Sequence, residues 1–244
     1  MSIQVKQAAL VFADISGYTR FTKYHAMALL HAEQIISDLL EAVIDSSAHP
    51  LKVNKIEGDA VLFYAESQGD PSALCHDVLS QTARLFEAFK GQMDKTLKDP
   101  VCWCSACQQA GELRLKVLLH FGEVAIKQVK TFEELAGESV ITIFRLTKNS
   151  IPANEYILLT EDFQRFSGNL PAMRSESRTE QCEGIGKVKV TVLYPDPLQT
   201  ALEAPPKIPM GKRFWQYLRV NGHAILRIFR VRPQQEHHHL PRSK

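Results

Sequence analysis

Leu51-Lys52-Val53-Asn54-Lys55-Ile56-Glu57-Gly58-Asp59-Ala60-Val61-Leu62-Phe63-Tyr64 places two β-rich runs on either side of Gly58-Asp59. That pairing reads as a tight hairpin turn, so the segment predicts two antiparallel strands, Leu51 to Ile56 and Ala60 to Ala65. Upstream, Ala9-Leu10-Val11-Phe12-Ala13-Asp14 is an apolar run broken by one acid and closed by Ser16-Gly17, which predicts a strand over Ala8 to Asp14. Between these strands Phe21, Tyr24, Met27, Leu30, Ile35, Leu39 and Val43 recur near helical spacing, predicting one long helix over Tyr18 to Ala48.

Downstream the pattern continues to alternate. A helix is expected from Pro71 to Leu97 with a buried stripe through Leu74, Val78, Leu85, Phe86 and Phe89. A strand ending at His120-Phe121 is expected to turn at Gly122 into a partner strand. A helix over Gly137 to Asn149, a strand over Tyr156 to Thr160, a short helix to Phe166 and a hairpin over Arg178 to Tyr194, turning near Gly184-Ile185-Gly186, complete the series. Hairpins mixed with helical crossovers imply an α+β sandwich, with helices on a mainly antiparallel sheet. Pro195, Pro197, Pro205, Pro206 and Pro209 then mark a linker. The expected division is a folded domain over 1–195 and a linker plus basic tail over 196–244.

The chain has 244 residues, 45% hydrophobic and 23% charged, ordinary values for a globular protein. No apolar run has the length of a membrane span, no secretory signal is recognisable, and a cytoplasmic location is expected. The net charge of +2 hides an asymmetry: from Lys207 onward nine Lys/Arg face one acid, while the remainder carries twenty basic against twenty-six acidic groups. In the tail, Phe214, Trp215, Tyr217 and Phe229 interleave with Lys212, Arg213, Arg219, Arg227 and Arg230. Docking on the acidic body or across a dimer explains this composition more economically than contact with an anionic membrane surface. A specific nucleic-acid partner is not expected, because no reading module accompanies the basic stripe.

Asp14 and Asp59 are the acids whose settings matter most. A carboxylate at the end of a buried strand must be paired, protonated or metal-bound. Two brought together repel unless a cation lies between them, and hard divalent ions take one or two carboxylates plus substrate phosphates. The pair therefore points to metal-assisted chemistry on a nucleoside triphosphate. The competing reading gives Asp14 a helix cap and Asp59 a turn.

With Phe12-Ala13-Asp14-Ile15-Ser16-Gly17-Tyr18-Thr19, Lys55-Ile56-Glu57-Gly58-Asp59 and His120-Phe121-Gly122-Glu123 in this order, the chain resembles the class III adenylate/guanylate cyclase catalytic domain over about Ala8 to Tyr194. The resemblance implies a ferredoxin-like sheet and a head-to-tail homodimer. It implies that Asp14 and Asp59 carry two Mg2+ or Mn2+ ions, one at the ribose 3′-hydroxyl and one at the β- and γ-phosphates. By the same resemblance Lys55 selects adenine with Glu134 as its partner, Arg145 neutralises the α-phosphate, and Lys187 or Lys189 contacts phosphate. The implied activity is that of an adenylate cyclase, a phosphorus–oxygen lyase forming 3′,5′-cyclic AMP from ATP. The chain departs from the family at position 141, where Ile141 replaces a transition-state asparagine. Such a loss slows a reaction by about 100- to 1000-fold, so the alternative is a nucleotide sensor or dimerisation module. Taken alone, Lys55 suits a solvated strand, and Arg145 suits a surface pair with Glu138 or Glu41.

Five cysteines are Cys75, Cys102, Cys104, Cys107 and Cys182. Cys102, Cys104 and Cys107, in an insert at about 99–110, offer three thiolates to a zinc ion that prefers four ligands. Cys75, His76, Cys182 or a partner protomer would complete the set. An iron–sulfur cluster or plain reduced thiols are the alternatives. His120 reads as a satisfied core histidine, and His237-His238-His239 is too short and exposed for a metal site.

Overall fold

The structure is a computed structural model that describes residues 3–24, 29–98, 105–195 and 211. Its strands are β1 (Ile3–Ser16), β2 (Lys52–Glu57), β3 (Ala60–Glu66), β4 (Arg114–Val129), β5 (Phe132–Ala136), β6 (Tyr156–Thr160), β7 (Arg174–Cys182) and β8 (Gly186–Tyr194). The helices among the described residues are α1 (Tyr18–Tyr24), α2 (Leu29–Ser46), α3 (Pro71–Lys98), α4 (Ser105–Gln109), α5 (Glu138–Leu146) and α6 (Glu161–Ser167). None is long and apolar enough to cross a membrane.

One sheet runs in the order β2-β3-β1-β4-β6-β8-β7, with β5 paired to β4 off this path. The β4–β6 pair is parallel and the others are antiparallel, so the α+β expectation holds. β1 lies inside the sheet, between β3 and β4. Its side chains alternate between two buried faces, which is why Ala8 to Ala13 reads as an unbroken apolar run. Ala9, Val11, Ala13 and Ile15 join Leu39, Val43, Val78, Leu85 and Phe89 on the face covered by α2 and α3. Ala8, Leu10 and Phe12 join Val140, Ile143 and Leu146 of α5 on the other. Asp14 shares the parity of this second group, so it leaves the strand on the α5 side.

Several boundaries differ from the sequence reading. The helix expected over Tyr18 to Ala48 is described as α1 and α2, and Leu30 of its supposed stripe is exposed. β4 does not turn at Gly122. It continues unbroken to Val129, and the hairpin turns at Lys130, φ 56°, into β5. Gly122 lies against α5 instead: a Cβ there would stand 2.4 Å from Ser139 Oγ and would displace that hydroxyl from its present position. The linker beyond Pro195, the basic tail apart from Gly211, Cys102 and Cys104 lie outside the described residues.

Candidate functional site

The Gly58-Asp59 turn behaves as read. Gly58 has φ 62°, a left-handed conformation that glycine adopts without penalty, and β2 and β3 leave the turn in antiparallel register, Glu57 opposite Ala60. β3 pairs with β1 so that Ala60 faces Asp14. The Ile15 N–H donates to the Asp59 carbonyl at 3.0 Å, fixing the turn against the end of β1. The two carboxyl groups thereby meet, although 45 positions separate them in the chain.

Their electrostatics follow from that meeting. The Asp59 carboxyl is pushed up to about 6, first by burial and then by the Asp14 charge. A hydrogen bond with the Asp14 side chain adds to the rise, while the Asp59 backbone and the Lys116 charge oppose it. Lys116 lies opposite Asp14 in the β1–β4 register, and its Nζ is 2.7 Å from Asp14 Oδ2, both side chains being largely buried. The sequence reading missed this lysine. Its signal was parity, since Lys116, Leu118, His120 and Gly122 alternate onto one face of β4.

This donor set fits a hard divalent cation. Two converging carboxylates are the number such an ion takes from protein when phosphates provide the rest. Among the described residues no group of three or more His, Cys, Asp or Glu forms a metal cluster, so the pair is not a closed all-protein cage.

The second predicted group also assembles. Lys55 Nζ lies 3.0 Å from Glu134 Oε2, joining β2 to β5. Neighbouring contacts hold β5 in place from β2 and β3: Asn54 Nδ2 donates to the Glu133 carbonyl at 3.2 Å, and the Tyr64 hydroxyl donates to the Glu133 carboxylate. Asn54 sits at an irregularity in the β2–β3 register, between Val53 and Lys55.

Arg145, in the last turn of α5, pairs at 3.0 Å with Glu183 in the β7–β8 turn, not with Glu138 or Glu41. Ile141 projects to solvent, whereas Thr142 is buried on a different side of the helix. Lys187 is exposed on β8 and lines a separate cleft with His120. Cys107 is packed in the core on the α2–α3 side, and Cys182 in the core on the α5 side. These two thiols therefore do not share a site. Burial pushes the Cys75 thiol up to about 12 and raises Cys182 as well, so neither is poised as a thiolate.

Residues 36–156 match the model of a family described as "Protein of unknown function (DUF2652)". The chain is 33% identical over 193 residues to the "Uncharacterized protein Rv2561/Rv2562" of Mycobacterium tuberculosis (strain ATCC 25618 / H37Rv), covering 78% of this chain and 87% of that protein. Among solved structures, the adenylyl cyclase CyaB from P. aeruginosa superposes with a TM-score of 0.60 at 14% identity, over 80% of this chain and 97% of that one. The guanylyl cyclase Cya2 gives 0.59 at 15%, over 83% and 100%. The guanylate cyclase domain of RhGC from Catenaria anguillulae, in complex with GTP, gives 0.53 at 15%, over 78% and 97%. At such identities the likeness establishes the fold alone. The identity to the mycobacterial protein, extending over most of both chains, establishes more: this chain belongs to the family of Rv2561/Rv2562, and its fold is that of class III nucleotide cyclase domains.

Proposed function

We propose that the protein binds a purine nucleotide, ATP in preference to GTP, between two head-to-tail copies of this chain, and converts it to 3′,5′-cyclic AMP and pyrophosphate. The observation that carries this reading is the convergence of Asp14 and Asp59 at the end of β1. Mg2+ or Mn2+ bound there would supply Lewis-acid stabilisation to phosphate oxygens and to the 3′-oxygen. Asp14 and Asp59 hold that position. Lys116 offsets the charge of Asp14, so the pair carries less net negative charge toward an incoming triphosphate. Lys55 and Glu134 present one donor group and one acceptor group to a base edge, the pattern that the N1 acceptor and amino donor of adenine require. Arg145, once released from Glu183, would face the α-phosphate across the dimer. In the reaction the 3′-oxygen forms a bond to the α-phosphorus, the bond to the β-phosphate oxygen breaks, and the hydroxyl proton is released to water.

Two features favour a second reading, a nucleotide sensor or dimerisation module with little turnover. Ile141 offers no hydrogen-bond donor where the cyclase pattern has an asparagine, and Arg145 is engaged by Glu183. A zinc staple at Cys102, Cys104 and Cys107 gains no support from Cys107, whose side chain is packed in the core on the α2–α3 side.

Exposed Val53, Ile56, Phe132 and Ile141 support a dimer, because a sheet edge and a helix both carry apolar side chains into solvent. The deciding experiment is incubation with ATP or GTP and Mn2+, followed by chromatography for cyclic product. Cyclic AMP that disappears in both Asp14→Ala and Asp59→Ala is the expected result. Product undiminished in those variants removes the metal assignment. Thermal stabilisation by an ATP analogue with Mn2+, without product, selects the sensor.

A further inference from the structure

β6 is short, and its shortness opens a notch in the sheet. It pairs with β4 over Lys116–Leu119 and with β8 over Val190–Leu193, while β5 takes up the same edge of β4 only from Ala125 onward. Between those pairings β4 has no strand neighbour on that side, and Gly186 to Lys189 of β8 pair with β7 alone. A cleft of 880 Å3 lies there, walled by β4, the start of α5, the start of α6 and the β7–β8 hairpin, within the volume range of small-molecule sites. His120 stands four residues from Lys116, roughly 13 Å along the strand at about 3.3 Å per residue, so the cleft is separate from the aspartate pair.

Three polar side chains, each more than nine-tenths buried, line this cleft: His120 at 5% exposure, Ser139 at 7% and Thr142 at 5%. His120 Nδ1 is 2.9 Å from Thr160 Oγ1, and that oxygen already accepts the Phe163 N–H as the cap of α6. The His120–Thr160 contact fits either ring tautomer; with the Thr160 hydroxyl donating to Nδ1, Nε2 bears the hydrogen. Burial holds the ring neutral, its pKa lowered to about 4. Nε2–H, the Ser139 hydroxyl and the Thr142 hydroxyl have no hydrogen-bond partner among the described residues. They are not sealed in either: the fully buried, unpartnered side-chain atom among the described residues is Asn54 Oδ1, on β2 and away from this cleft. They reach solvent through the cleft.

Gly122 keeps this cluster open, because a Cβ there would stand 3.2 Å from His120 Nε2 and 2.4 Å from Ser139 Oγ. The first turn of α5 adds donors. Its opening hydrogen bond runs from Ile141 N–H to the Gly137 carbonyl, and no side chain caps the amides before it. Lys187 lines the same cleft without an ion-pair partner among the described residues, whereas Lys189 and Arg165 are held by Glu161 and Asp162. Glu123 and Glu138 also face the cleft, a mixture of charge that suits one oxyanion group and disfavours a polyanion.

We propose that this notch binds a small metabolite through a single carboxylate or phosphate group, held by His120 Nε2–H, the Ser139 and Thr142 hydroxyls, the α5 amides and Lys187. The site stands on its own residues and does not depend on nucleotide binding at the aspartates. Its test is therefore run on the full chain without nucleotide. Sodium acetate and inorganic phosphate are titrated separately, and the His120 imidazole is followed in nitrogen–proton correlation spectra. The expected result is a saturable shift of Nε2–H with at least one anion. Each of Ser139→Ala and Lys187→Gln should weaken it about tenfold, the usual scale for a hydrogen bond or ion pair to a charged ligand, and Asp14→Asn should leave it unaltered. Saturation by acetate alone assigns a carboxylate ligand, and by phosphate alone a phosphate ester. Absence of saturation with both anions overturns the proposal, as does a shift that Ser139→Ala and Lys187→Gln leave unchanged.

Discussion

Asp59 ionises well above the ordinary carboxylate range, and the cause is local: burial beside Asp14, only partly offset by a backbone hydrogen bond and by Lys116. A carboxyl whose folded pKa is raised binds its proton more tightly in the folded chain than in the unfolded one. The stability this provides is complete below about pH 4 and is lost as pH rises through about 6. Metal-free protein should therefore weaken between those limits, and Asp59→Asn, which has no proton to lose, should not. After discounting for partial exposure, Asp59→Asn is expected to be about 1–2 kcal/mol more stable than the parent at pH 7.5, measured by urea denaturation across pH. Mn2+ should restore stability to the parent above pH 6 and do little for Asp59→Asn. Lys116 belongs to the same local argument. Its position opposite Asp14 is set by register, so the parity of Lys116 within β4 gives its face but not its partner.

At the scale of elements, the β2–β5 contact decides whether Lys55 and Glu134 act together. They are 79 positions apart and come from different hairpins, yet their charged atoms lie 3.0 Å apart. Because the pair is half-exposed, a double-mutant cycle of Lys55→Ala and Glu134→Ala is expected to give about 0.3–1 kcal/mol of coupling in the free protein. In nucleotide-binding measurements, Lys55→Ala should reduce the preference for ATP over GTP. No change in that preference would leave the pair a strand-to-strand brace. β4 shows where reading by element failed. Gly122 was read as a turn because glycine punctuates hairpins, but here it admits Ser139 of α5, and the turn moves to Lys130.

For the whole molecule, an acidic body with exposed Ile56, Phe132 and Ile141 is expected to self-associate. Phe132→Glu replaces an exposed side chain without touching the core. It should yield a folded monomer in sedimentation and, if both chains build the nucleotide site, lose cyclic product as well. A Phe132→Glu protein that remains dimeric would place the interface elsewhere.

The α+β class, the hairpin at Gly58-Asp59 and the buried strand carrying Asp14 were legible from the sequence, though that strand runs over Ile3–Ser16, because hydrophobic period and turn chemistry are local properties of the chain. The distant match of Lys55 with Glu134 was legible only through family resemblance, since nothing local links residues so far apart. Tertiary structure alone decided that Lys116 pairs with Asp14, that Glu183 engages Arg145, and that β6 stops short to leave a notch beneath His120, Ser139 and Thr142. Each depends on strand register and on the approach of a helix to a sheet. Long-range packing sets both, and no stretch of neighbouring residues encodes them.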